Sequence, residues 1–162
     1  MAHDSGFQQV DVAALIVHRD DRILAVYNPE WGAYTLPMTK RRAWQDPANG
    51  EIRHEEWLDA AIRARAECLR GTSTVPPQHV PGEPILLPGE PPLYVDPADF
   101  RQSSRDHEWK RYTYQLFSAQ FNATDELVDP ARCEWLTPAE FADPRRRPIS
   151  KTARELVARG HK

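Results

Sequence analysis

Glu55, Arg63 and Glu67 lie in a run, Glu55–Arg70, that contains neither glycine nor proline. Carboxylates near successive turns of one helix can hold a hard cation through oxygen. An arginine on the same face can orient those carboxylates through paired hydrogen bonds. Arg63 and Glu67 are also four residues apart, and taken alone that spacing favours an ordinary ion pair on a helix surface. Glu51, Glu56 and Glu108 are further carboxylates that can join such a set. His107 beside Glu108 can act as a base with its partner, although a solvated loop is the favoured reading. Trp31 and Tyr34 offer faces on which a flat ring can stack, and closing one end of the core accounts for them at least as well. Lys40, Arg41, Arg42 and Trp44 form a short basic and aromatic run that can meet a phosphate, read first as a solvated loop. Arg145–Arg147 reads as a solvated charge run. The sequence holds no P-loop, GxGxxG, GxSxG or HExxH pattern.

The elements that must position these residues follow from periodicity. Residues 10–19 (VDVAALIVHR) read as a buried strand, and Arg22–Tyr27 as its return after an Asp20-Asp21 turn. Tyr34–Leu36 is a short extended piece, and residues 38–54 are polar with turn formers. Glu55–Arg70 is the clearest helix, with Leu58, Ala61, Ile62, Arg65 and Leu69 as its inward stripe and Gly71 as its C-cap. Eight of the fifteen prolines fall between Pro76 and Pro97. This stretch is expected to be a surface loop, extended around Ile85–Leu87 and Leu93–Val95. Trp109–Phe121 alternates as a long strand, with Tyr112, Tyr114 and Leu116 on one face and Thr113, Gln115, Phe117, Ala119 and Phe121 on the other. Cys133–Leu136 is a short strand, Thr137 caps a helical turn at Pro138–Phe141, and Ile149–Ala158 is a terminal helix. The expectation is an N-terminal tail, 1–9, and a single α+β domain, 10–159.

Composition narrows the function. The chain has 162 residues and a formal net charge of −3, without the basic excess of a generic nucleic-acid binder. No apolar run approaches the ~20 residues of a membrane span, and the first residues lack a signal-peptide layout. Cys68 and Cys133 lie far apart with no paired-ligand spacing, which excludes a cysteine zinc site and a disulfide framework. A cytoplasmic setting fits.

Glu55 followed by seven residues and Arg63, then Arg63-Ala64-Arg65-Ala66-Glu67-Cys68-Leu69-Arg70-Gly71, resembles the signature of the Nudix hydrolase family. Tyr34-Thr35-Leu36-Pro37-Met38-Thr39 resembles the aromatic-any-Leu-Pro-Gly-Gly stretch that leads into it. Glu134–Pro138 and Ile149-Ser150 resemble the end of such domains. The resemblance runs from about Val10 to Leu156. It implies an α/β/α sandwich with a mixed sheet, a long box helix and a C-terminal helix. Gly50 to Glu56 keeps the family's glycine-to-glutamate interval, whereas Glu55 keeps the interval to Arg63, and the Glu55 register is preferred. Fifteen residues, 40–54, separate Thr39 from Glu55 where the family has five.

The resemblance implies hydrolysis of a diphosphate linkage with Mg²⁺ or Mn²⁺, which neutralises phosphate charge and activates water. It assigns catalytic roles to Glu67, Arg63 and Glu55. Metal ligation falls to Glu67, Glu55 and Glu108, and substrate contacts to Trp31, Tyr34 and Arg111. Of three family glutamates in the second half of the box only Glu67 remains, because Ala64 and Cys68 replace the others. Met38 and Thr39 replace the glycine pair. The reading is therefore a divergent, catalytically impaired member that binds a nucleotide or nucleoside-diphosphate derivative, or serves as an interaction module through 40–54 and 75–97. The alternative is an active Mg²⁺-dependent hydrolase of a nucleoside diphosphate linked to another moiety.

Overall fold

In the computed structural model, residues 7–71, 75–81, 85–88 and 109–160 are described. Strand β1, Phe7–Arg19, begins earlier than the apolar run suggests and is the spine of the sheet. It runs parallel to β10, Trp109–Gln120, with Phe7 opposite Trp109 and His18 opposite Gln120. A strand in such a position is covered on both faces, and this explains the unbroken apolar run Val12–Val17. Strand β2, Arg22–Asn28, returns antiparallel after a turn in which Asp20 has φ 56°.

The remaining strands hang on this frame. β3, Ala33–Thr35, pairs with β2, and β4, Met38–Lys40, pairs with β1. β5, Ala43–Gln45, and β6, Ile52–His54, pair with each other. Helix α1, Trp57–Cys68, follows. β7, Leu69–Arg70, pairs with β11, Glu126–Leu127. β8, Gln78–His79, and β9, Ile85–Pro88, both pair with β10. β12, Cys133–Leu136, closes the far edge beside β2. Helices α2, Pro138–Phe141, and α3, Lys151–Gly160, end the chain. The main sheet runs β12-β2-β1-β10-β8.

Alternation along β1 divides the core in two. Val10, Val12, Ala14 and Ile16 join Tyr114, Leu116, Phe141 and Leu156 on the α2/α3 face. Ala13, Leu15 and Val17 join Leu24, Phe117, Ala61 and Ala64 on the α1 face. The result is an α/β/α sandwich, and the alternation expected for β10 is the one observed. No helix among the described residues is long and apolar enough to cross a membrane.

Four expectations need correction. The buried stripe of α1 is Ala60, Ala61, Ala64 and Cys68, whereas Leu58 and Ile62 are exposed. Leu15, Leu24 and Phe117 fill the space from the sheet side, so the facing helix must present small residues. Gly71 is not a C-cap, because Leu69 ends the helix in extended conformation. A Cβ at Gly71 would collide with the Asp125 carboxylate, so close approach explains the glycine. Residues 38–54 form β4 and a separate hairpin rather than an irregular loop. In that hairpin Gly50 takes φ 73°, its N–H donates to Asp46 O at 2.8 Å, and Arg53 Nε donates to Asp46 Oδ2 at 2.6 Å. Within 75–97, Gln78–His79 is strand in addition to the expected extended piece at Ile85, while Leu93–Val95 lies outside the described residues.

The expected Thr137 cap is present. Thr137 Oγ1 accepts from Glu140 N at 3.2 Å, and Glu140 Oε1 accepts from Thr137 N at 3.0 Å, a complete capping box. Ser150 Oγ accepts from Ala153 N at 3.0 Å at the start of α3.

Candidate functional site

The chain enters α1 through Glu55, and the geometry there is dense. Arg63 Nε donates to Glu55 Oε2 at 3.0 Å, and Arg63 Nη2 donates to Glu55 Oε1 at 2.6 Å. This is the fork-on-carboxylate arrangement. Arg63 also donates to Thr39 Oγ1 at 3.1 Å and to Lys40 O at 2.8 Å. Glu55 Oε1 accepts a further bond from Arg42 N at 3.0 Å. Arg63 therefore ties three pieces together: β4, the entry to α1 and α1 itself. The Glu55–Arg63 interval is the one that brings both side chains together.

The Arg63 hydrogen bonds hold the Glu55 carboxyl well below its ordinary 4.5, at about 2. The same partner raises Arg63. A depressed carboxylate stabilises the fold above its unfolded value and loses that contribution as pH falls toward its folded value. Stability is thus expected to decline between about pH 5 and 2, by about 1–3 kcal/mol after allowance for partial solvent access. Urea midpoints across that range should show the decline in wild type and a flatter acid limb in Glu55→Gln. Parallel curves would exclude Glu55 as the titrating group.

Arg41 is likewise built in. Its Nε donates to Glu55 O at 2.5 Å, its Nη1 to Asp11 Oδ2 at 3.2 Å, and its guanidinium lies 4.8 Å from the Trp57 ring centre. It is not the solvated loop residue expected. Arg42 and Trp44 remain exposed and line an open cleft of about 690 Å³ between the hairpin and the start of α1. Arg53, His54, Glu56 and Asp59 line it too.

The remaining box positions divide by face. Glu67 is exposed, and no side-chain hydrogen bond or ion pair ties it to another described residue. Ala64 is 1% exposed and Cys68 8%, both packed against the sheet. Burial pushes the Cys68 thiol up to about 12, so it stays protonated. Among the described residues the donor set does not fit a hard divalent cation. Among the described residues no three His, Cys, Asp or Glu side chains converge. Glu55 faces Arg63, and Glu51 lies on the exposed hairpin, its N–H bonded to Asn49 Oδ1 at 2.9 Å.

The other expected residues are dispersed. Tyr34 packs on the α2/α3 face, opposite α1, with its ring 5.3 Å from Tyr27. Burial and then the Glu134 charge raise its phenol. Trp31 is half-buried in the turn after β2, its N–H bonded to Asn28 O at 3.2 Å. Arg111 is a β10 residue opposite Gln9, and its side chain lies outside the description. His107 and Glu108 lie outside the described residues. Thr39 and the Lys40 carbonyl, which anchor Arg63, were not foreseen. Thr39 stands at a position where the resemblance expects glycine, and that departure was the available signal.

No family model and no curated protein matches the sequence. Solved structures do match in fold. The MutT Nudix hydrolase of Burkholderia pseudomallei is 17% identical, with TM-score 0.52, covering 93% of this chain and 97% of that one. The Nudix domain of Shewanella oneidensis NrtR, solved as a cocrystal with ADP ribose, is 12% identical, with TM-score 0.50 and coverage of 94% and 85%. The C-terminal domain of mouse MUTYH, solved in complex with human PCNA, is 17% identical, with TM-score 0.53 and coverage of 95% and 88%. Likeness of this kind, over nearly the whole chain and at low identity, is likeness of fold, and the protein has the Nudix fold.

Proposed function

We propose that this chain is a divergent Nudix-fold protein whose diphosphate hydrolase chemistry is impaired and which retains binding of a nucleotide or nucleoside-diphosphate derivative. One observation carries the reading. The two α1 positions where the family signature has glutamates, Ala64 and Cys68, are buried in the apolar cluster that also holds Leu15, Val17 and Phe117. A carboxylate needs water or a cation, and neither reaches a packed apolar interface. Removing groups that act as a unit is severe for catalysis. Nucleotide binding is supported by the fold shared with the NrtR Nudix domain, which was crystallised with ADP ribose. The open cleft beside Trp44 and Arg42 supplies an aromatic face and a positive charge for such a ligand. A cytoplasmic setting, supported by two free cysteines, belongs to the same proposal.

A second reading is an interaction module. Trp44, Ile52, Leu58 and Ile62 are exposed apolar residues on the hairpin and α1. The fold is shared with a MUTYH domain solved with a protein partner.

The test is hydrolysis of a nucleoside-diphosphate panel, ADP ribose included, with Mg²⁺ and then Mn²⁺, followed by ³¹P NMR. Wild type and Glu67→Gln run side by side. The expected result is no turnover in either, together with thermal stabilisation by one or more panel members. Turnover that Glu67→Gln abolishes would establish the active alternative, with Glu55, Glu51, Glu56 or Glu108 as replacement ligands. Neither turnover nor stabilisation would leave the interaction reading.

A further inference from the structure

The connection between α2 and α3 carries Arg145, Arg146 and Arg147, and the start of α3 adds Arg154. All four line one concavity of about 390 Å³, with Pro144, Pro148 and Ile149. Two of the charges are answered on the spot. Arg145 donates to Asp143 Oδ1 at 2.8 Å and Oδ2 at 3.0 Å. Arg147 bridges Glu134 at 3.0 Å and Glu140 at 3.4 Å. Arg146 and Arg154 make no ion pair among the described residues. Arg154 Nε is moreover buried without a hydrogen-bond partner. A buried N–H of this kind is costly, and native structures answer it with water or an ion.

The concavity has a fixed floor. Tyr34 N donates to Pro148 O at 2.8 Å, and Ser150 N donates to Tyr34 O at 2.8 Å. Ile149, 2% exposed, belongs to the core and forms a parallel bridge with Tyr34. The arginines are therefore mounted on a segment held to β3. Arg145 and Arg146 are exposed, as expected of a solvated run, whereas Arg147 is partly buried on its two carboxylates.

We propose that this concavity is a second, phosphate-binding site. The Arg146 guanidinium and the outer nitrogens of Arg154 donate to the oxygens of a phosphoryl group, while Arg145 and Arg147 stay on their own carboxylates and hold the rim in place. Planar guanidinium forks match phosphate oxygens, which four arginines without a lysine among the lining residues suit. The volume exceeds that of a lone phosphate and lies within the range of small-ligand sites. Free phosphate compounds and the phosphate of a nucleotide share this chemistry. The site lies on the α2/α3 face of the sheet and uses none of the α1 residues, so it stands or falls separately from the reading above.

The test is titration of ¹⁵N-labelled full chain with pyrophosphate and with AMP, at constant ionic strength in chloride. The expected result is saturable shifts at the Arg145–Arg147 and Ile149–Arg154 amides and at the Arg154 Nε–H. Tighter binding of AMP would identify a nucleotide as the source, and tighter binding of pyrophosphate a simpler phosphate. Arg146 is exposed, so Arg146→Gln should fold normally and weaken binding at least tenfold. Arg154→Gln should weaken it further, while Arg70→Gln, at an exposed position outside both cavities, leaves it unchanged. Binding by Arg146→Gln equal to wild type, shifts spread evenly over all arginines, or no saturable shift would overturn the proposal.

Discussion

Replacing Ala64 with glutamate is expected to destabilise the protein by about 3–5 kcal/mol, although it restores the residue that the family signature carries there. Ala64 is 1% exposed and belongs to the buried cluster of Leu15, Val17 and Phe117. Added volume in that interface strains the packing by about 1–3 kcal/mol. An ionised carboxylate adds desolvation without a partner, because Arg63 is already forked onto Glu55. Burial would raise the new carboxyl, so the loss should be greatest at high pH and shrink as pH falls through the raised value. Cys68→Glu should behave alike, since Cys68 belongs to the same cluster. Urea unfolding at two pH values, with and without Mn²⁺, measures this. Wild-type stability together with a Mn²⁺-dependent rise in Tm would show that the two positions open onto a metal cleft, and the impaired reading would fail.

Arg63→Met should cost about 2–4 kcal/mol. The substitution removes both bonds to Glu55 and those to Thr39 and Lys40 O. It leaves the Glu55 carboxylate, whose side chain is 12% exposed, without its counter-charge. Arg63→Lys keeps the charge but loses the fork, and should fall between wild type and Arg63→Met. In a cycle with Glu55→Gln, the double variant should lose clearly less than the sum of the singles. Glu67→Gln, at an exposed position, should change stability by under about 0.5 kcal/mol. Additive effects of Arg63→Met and Glu55→Gln would show that the pair carries no coupling.

Much of this molecule was legible in its residues. β1 and β10 announced themselves by a long apolar run and a strict alternation, since a strand buried on both faces and one that alternates leave different patterns. The Thr137 cap was legible because capping is a local interaction over three residues. The four-residue spacing pointed to an ion pair of Arg63 with Glu67, whereas Arg63 instead forks onto Glu55, which lies just ahead of α1.

What the sequence could not determine was which side of an element meets which neighbour. In α1 the large residues Leu58 and Ile62 invited the inward assignment, yet the sheet supplies its own bulk and the alanines turn inward. The hairpin of 43–54 depended on a turn held by Asp46 and Arg53, whose contacts are set in space. Tyr34 and Glu67 share a chain region but end on opposite sides of the sheet, because β1 alternation divides two cores that a linear reading merges. The arginine concavity is built within residues 144–154, but its shape depends on the bridge that holds Ile149 to Tyr34, a contact set only in space. Local propensity and spacing fix elements and their ends, whereas facing and convergence depend on volumes and charges brought together by the fold.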